Sequence, residues 1–317
     1  MIQSIDSLLR TARRVLCLGI GGGGDVVGAL ATAEFARAMG TAATVGGVTW
    51  ERPIVDPLPG PRRLDEVSAA EPLNPAVALA GPDTRGPGGF RFAESHMSRV
   101  LGERTVLVDP NPGPVAVGAA LADAAPRLEC DAVALVDVGG DVLAHGNEPG
   151  LASPLCDAVM LAAAEPLSQA GVAVVGAVFG PGCDGELTPD EVLERVSELA
   201  AAAGLAGAWG ITPAAAARLG EAAAAIPTEA SAQALRCFAG ERGQTAIRAD
   251  KRPVTLSAIG AVTFFFDPLV AIGTAARLAR AVLQAASLTE ANRRLNELGI
   301  QTELDRETAA ARRAAAS

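Results

Sequence analysis

Apolar runs recur along the chain between polar, glycine-rich breaks, and the pattern alternates between a strand-like and a helix-like period. Val15 to Ile20 is a continuous apolar run, followed by glycines at Gly21 to Gly24 and by an apolar-rich segment, Asp25 to Met39, that ends on Gly40. This order predicts a buried strand, a tight turn, and a helix closed by a glycine. A second apolar run, Ala43 to Trp50, follows at once, which gives a βαβ unit with parallel pairing and a right-handed crossover. After residue 104 the alternation resumes. Strands are predicted over Val106 to Asp109, Ala132 to Val138 and Val172 to Phe179, interleaved with helices over Val115 to Ala125, Leu155 to Ala170 and Pro189 to Ala203. Thr188-Pro189-Asp190-Glu191 marks one helix start sharply, with a threonine cap, a proline in the first turn and a glutamate placed for a capping box.

Strands separated by helices imply a Rossmann-like α/β fold, a parallel sheet covered by helices on both faces. Between Glu51 and Arg104 the periodicity gives way to proline, glycine and charge. A break this much longer than an ordinary loop predicts a functional lid or substrate loop. Beyond Gly204 the expected elements are a strand over Leu205 to Ile211, a helix from Thr212-Pro213 to Ala225 and another over Glu229 to Ala239. Strands over Thr245 to Arg248 and Val254 to Phe266 follow, as an antiparallel edge, and then two helices and a frayed Arg/Ala-rich end. The domain reading is therefore a core over 1–204 with its excursion at 51–104 and a smaller, mostly helical extension over 205–317 on the same core, or one single domain.

Composition narrows the chemistry. Half of the 317 residues are hydrophobic but only 3% are aromatic, so the core is built from small side chains that let helices lie close on a sheet. A formal net charge of −10 without a basic block disfavours nucleic acid, whose binding needs clustered Lys and Arg. Among 26 basic residues only Lys251 is a lysine, so a Schiff base would have to use it. Five cysteines without a C-x-x-C pair suggest a reducing, cytoplasmic compartment. Met1 to Arg14 lacks the apolar core of a signal peptide, and Val254 to Ala276 is broken by Asp267-Pro268, so no membrane is expected.

Two segments carry candidate chemistry. Gly19-Ile20-Gly21-Gly22-Gly23-Gly24-Asp25 contains G-x-G-x-x-G between a strand and a helix, the context of a dinucleotide site. Asp25 stands where a phosphate would lie, however, and Glu51 comes later than the acidic residue of that motif. Gly21, Gly22, Gly23, Gly24, Asp25 and Glu51 are the candidate cofactor-binding residues, for NAD(P) or another nucleotide, or for a cation or polar substrate held through Asp25. The alternative is a tight turn with Asp25 as a cap.

The second segment runs from Asp137 through Asp141, His145, Asn147 and Glu148 to Ser153 and Asp157, directly after an apolar strand. Loops at strand carboxyl ends build the ligand crevice of an open parallel sheet. Carboxylates crowded there call for a cation, an arginine or a raised pKa. Asp137, Asp141, His145 and Glu148 are the candidate catalytic residues, and Asp141 and Glu148 the candidate ligands of Mg²⁺ or Mn²⁺. Lesser candidates are Arg52 beside Glu51, the acidic loop Gly180 to Glu186, and His96 as a base delivered by the excursion. The chain has no G-x-S-x-G, H-E-x-x-H or G-x-x-x-x-G-K-[ST] motif.

The runs Gly21 to Ala29 and Val136 to Leu143, with Glu148 and Ser153-Pro154-Leu155, resemble the uncharacterised archaeal and bacterial family called domain of unknown function 1152, over nearly the whole chain. That resemblance implies no activity. The loop around Asp137 to Glu148 also resembles in type the carboxyl-terminal domain of D-glutamate cyclase, which keeps lyase chemistry in view. The expected function is an enzyme acting on a small carboxylated or phosphorylated metabolite by carboxylate and histidine acid–base chemistry, metal-assisted, of lyase, cyclase or hydrolase type. The alternatives are an NAD(P)- or nucleotide-binding oxidoreductase and a non-enzymatic ligand-binding or scaffold subunit. A homo-oligomer, a homodimer first, is the expected assembly.

Overall fold

The structure, a computed structural model, describes residues 4–315. Eleven strands are found among them: β1 (Arg14–Gly19), β2 (Ala42–Val48), β3 (Ser68–Asn74), β4 (Val77–Arg85), β5 (Thr105–Val108), β6 (Ala132–Val138), β7 (Ala173–Phe179), β8 (Leu205–Gly210), β9 (Gly243–Ile247), β10 (Arg252–Leu256) and β11 (Val262–Phe266). Nine form one sheet in the order β3-β4-β5-β2-β1-β6-β7-β11-β8, and β9 and β10 form a separate antiparallel pair. The central strands β5, β2, β1, β6 and β7 are parallel. Strands β4 and β11 run antiparallel to β5 and β7 and so close the parallel core on both sides.

The strand alternation sorts side chains onto two faces. Leu16, Leu18, Val133 and Leu135 pack on one side, against the helices Pro114–Arg127, Pro154–Ala162 and Ala164–Gln169. Val15, Cys17, Ala134 and Val136 pack on the other, against Asp25–Ala38, Pro213–Ala225 and Ala230–Phe238. With both faces covered, β6 is buried at every position, which is why all of its residues but Asp137 are apolar. The chain leaves β1 towards β2 and β5 on one side, then returns to β6 on the other. The crevice of such a sheet lies at that reversal, beyond the carboxyl ends of β1 and β6.

Four expectations are corrected. The excursion at 51–104 is mostly not a lid: β3 and β4 form an antiparallel hairpin that widens the sheet, and a helix, Ala93–Leu101, follows. Pro72 and Pro82 hid these strands, yet proline is tolerated towards a sheet margin, where fewer ladder bonds are required. The run Val254 to Phe266 is two strands in different sheets, separated at Ala258–Ala261, and β11 enters the main sheet between β7 and β8. The helix foreseen over Leu155 to Ala170 breaks near Ala163. The segment from Pro268 onward holds four helices, Pro268–Gly273, Arg277–Val282, Leu288–Glu297 and Glu303–Ala315, rather than two with a frayed end. No helix among the described residues is long and apolar enough to cross a membrane.

Candidate functional site

A cavity of about 830 Å³ opens at the carboxyl ends of β1 and β6. The glycine turn forms one wall and the Asp137 to Asp157 segment faces it, so the two candidate regions share one hollow. Ten of its lining residues are acidic and only Arg52 and Arg248 are basic, which makes its floor strongly electronegative.

The floor is built from residues that the strand ends project. Asp25 opens the helix after β1 and folds back so that Oδ2 accepts the Gly21 N–H at 3.0 Å. Asp137 lies in β6, and its Oδ2 accepts the Val142 N–H at 3.3 Å. Asp141 follows after two glycines at φ 121° and 122°, a sharp reversal that returns the chain to the site. Asp157 comes from the first turn of the helix that Pro154 starts. Asp184 and Glu186 come from the loop after β7. One carboxylate oxygen from each of Asp25, Asp137 and Asp157 falls within 4.8 Å of the others, and Asp141, Asp184 and Glu186 form a second such trio.

Burial governs the electrostatics. It pushes Asp25 up to about 7 and Asp184 up to about 8, partly offset at each by neighbouring hydrogen bonds. Asp137, Asp141 and Asp157 are raised well above the usual carboxylate range by burial and then by neighbouring acids, Asp25 first for Asp137, Asp157 first for Asp141 and Asp137 first for Asp157. Burial also raises Glu186, but Arg252 at 2.7 Å and the Ser153 N–H and hydroxyl outweigh it and hold this one carboxylate low. Asp157 is 2% exposed, and its Oδ1 is a buried oxygen without a hydrogen-bond partner. An unsatisfied carboxyl oxygen in a buried acidic cluster costs free energy that a cation would offset.

The candidate residues divide. Asp25, Asp137, Asp141, Gly21, Gly22, Gly24 and Glu51 line the cavity. His145 does not: its ring is hemmed between Arg195 and Glu198 of the helix Pro189–Ala201. Burial, then Arg195, lowers its pKa, which suits a structural contact. Glu148 turns its carboxylate onto the His145 and Gly146 N–H groups, both at 2.8 Å, and so closes a turn. The assigned roles of His145 as a proton carrier and Glu148 as a ligand are therefore misplaced: the turn folds back on itself before reaching the cavity. His96 is also outside the lining. Glu51 is at the wall, but its Oε1 accepts the Ala93 N–H at 2.6 Å and holds the start of a helix.

The glycine turn is filled by protein. A Cβ at Gly22 would lie 2.5 Å from the Trp50 carbonyl oxygen, and one at Gly24 would strike Thr228. One at Gly21 would lie 2.7 Å from Asp25 Oδ2 and 2.8 Å from Asp157 Oδ2. These glycines let the acids and the second strand end approach the turn.

The family model described as a protein of unknown function (DUF1152) matches residues 16–311. The chain belongs to the DUF1152 family. No curated protein and no solved structure matches it. The match to DUF1152 spans every acid of the two trios, and also Glu303 and Glu307, which lie where the sequence pattern gives only a frayed Arg/Ala-rich end. Glu303 receives the Leu155 and Cys156 N–H groups at 3.1 and 2.8 Å, and Glu307 receives Gly60 N–H and Trp50 Nε1–H. Their i,i+4 spacing puts both on one helix face, the one signal that could have drawn attention to them.

Proposed function

We propose that this DUF1152 protein is an enzyme that acts on a small polar metabolite with the help of divalent cations held by Asp25, Asp137 and Asp157 and by Asp141, Asp184 and Glu186. The observation that carries this reading is the pairing of two carboxylate trios, buried except for the half-buried Asp25, on one cavity floor, with Asp157 Oδ1 unpartnered among them. An all-oxygen set suits a hard ion such as Mg²⁺ or Mn²⁺ better than a softer one. A cation bound there would polarise a substrate oxygen or make a water more acidic, which fits hydrolase or lyase chemistry. The protein's own part is to position the acids and to exclude bulk water from the cavity floor.

The nucleotide reading has less support. The glycine turn packs on Trp50 and Thr228, and Asp25 puts negative charge at the helix start that a pyrophosphate would need.

The test is calorimetric titration of chelator-stripped protein with Mn²⁺ and Mg²⁺, followed by screening of the loaded protein against carboxylated and phosphorylated metabolites. Saturable binding that Asp141→Asn and Asp157→Asn each weaken by at least about tenfold, near 1.4 kcal/mol, is expected. A wild-type protein indifferent to both ions at millimolar concentration would sink the proposal.

A further inference from the structure

The basic residues around the cavity differ in how they are engaged. Arg52 donates to Glu229 at 3.2 Å and to the Pro227 carbonyl at 2.7 Å. Arg252 donates to Glu186 at 2.7 Å and to the Asp184 carbonyl at 3.3 Å. Arg248 lines the same cavity, yet among the described residues its guanidinium has no hydrogen bond and no ion pair; only its backbone N–H is used, by Glu229. It stays exposed at the mouth.

The backbone there is unusual in the same place. Arg248, Ala249 and Asp250 have φ of 57°, 54° and 63°, three successive side-chain-bearing residues in the left-handed region. Each such residue costs roughly 1 kcal/mol, a strain that tends to collect at functional positions. The hairpin of β9 and β10 carries this tip, and the Arg252–Glu186 pair ties its base to the acidic floor. The tip is thus fixed where it presents one unused guanidinium over the carboxylates. Burial raises Asp25 and Asp184, and the Arg248 charge offsets part of that rise.

We infer that Arg248 grips an oxyanion of the substrate, a phosphate or a carboxylate, whose oxygens also face the cations of the two trios. This rests on the cation-dependent reading above. Once cations neutralise the trios, the floor no longer attracts the guanidinium, and its paired N–H groups are free to bind an oxyanion side-on. The apolar wall at Trp50, Ile54 and Ile226 takes the rest of the molecule.

The experiment uses the full chain stripped with chelator, titrated first with Mn²⁺ and then, when loaded, with inorganic phosphate and with succinate. Wild type is expected to bind at least one of the two oxyanions, and the stronger one identifies the phosphate or the carboxylate class. Arg248→Ala and Arg248→Gln are expected to weaken that binding by at least about tenfold while Mn²⁺ binds no more weakly than before. Absence of Mn²⁺ binding in wild type rejects the cation reading and this inference with it. Mn²⁺ binding accompanied by no oxyanion binding, or by oxyanion binding that survives both substitutions, rejects the inference alone.

Discussion

A methyl group at Gly21 and one at Gly22 would meet different obstacles, and the difference separates function from stability. At Gly21 the added atom meets only the ends of two carboxylates, Asp25 and Asp157, which can swing away. Gly21→Ala is expected to fold with little loss but to lower cation affinity by at least about tenfold, read by titration with Mn²⁺. At Gly22 the atom meets the Trp50 carbonyl, at a φ of 89° that only glycine adopts easily. Gly22→Ala should cost on the order of 2–4 kcal/mol in urea unfolding. Glu51 gives a pH prediction at the same scale. Burial, opposed by the Ala93 N–H, raises its carboxyl from 4.5 to about 7. Below pH 4.5 the group is protonated in the folded and unfolded chain alike and has no effect. Between 4.5 and about 7 the unfolded chain ionises first, so stability falls as pH rises, by about 3 kcal/mol in total above that window. Glu51→Gln keeps an acceptor for Ala93 and should lose this slope, with unfolding free energies at pH 5 and pH 8 drawing together relative to wild type. An unchanged difference would reject the assignment.

Helix starts show how local sequence and distant packing share the work. Thr188 and Glu191 form a reciprocal cap within one tetrapeptide, and the boundary was legible from sequence because all of its parts are adjacent. Thr188→Ala should cost about 1 kcal/mol of stability and leave cation binding untouched, measured by urea unfolding and by Mn²⁺ titration. The helix at Pro154 has no such local device. Its first N–H groups go to Glu186 and Glu303, which lie 33 and 147 positions away from the N–H donors Ser153 and Cys156. Glu303→Ala should cost about 1–2 kcal/mol and also loosen the wall of the site. No spacing rule could have joined Glu303 to Pro154, so the terminal helix read as a frayed Arg/Ala-rich end. The same limit explains His145. It was singled out because histidine is rare in this chain, but rarity says nothing about direction, and the turn at Gly146 sends the ring to Arg195. Asp25, Asp137 and Asp141 were legible because each lies at or just after a strand end that the sheet fixes.

For the molecule as a whole, the acidic hollow is a source of instability that a cation would relieve. A divalent ion at about a hundred times its dissociation constant should add about 2.7 kcal/mol, a rise in melting temperature on the order of 5 °C for a chain of this size. Scanning calorimetry with Mg²⁺ and with chelator measures it, and equal melting temperatures would count against a built cation site. The parallel core and its crossover order were readable from the strand–helix alternation. The antiparallel additions were not, since β3 and β11 owe their places to neighbours far away in the chain rather than to their own patterns. The hairpin tip that carries Arg248 also carries Lys251, exposed and the sole lysine of the sequence. An amine-reactive fluorophore therefore has one side-chain target, on the same tip as Arg248 and Ala249 of the cavity lining. The protein comes with its own attachment point for a dye that would report, without any engineering, on the tip that carries Arg248.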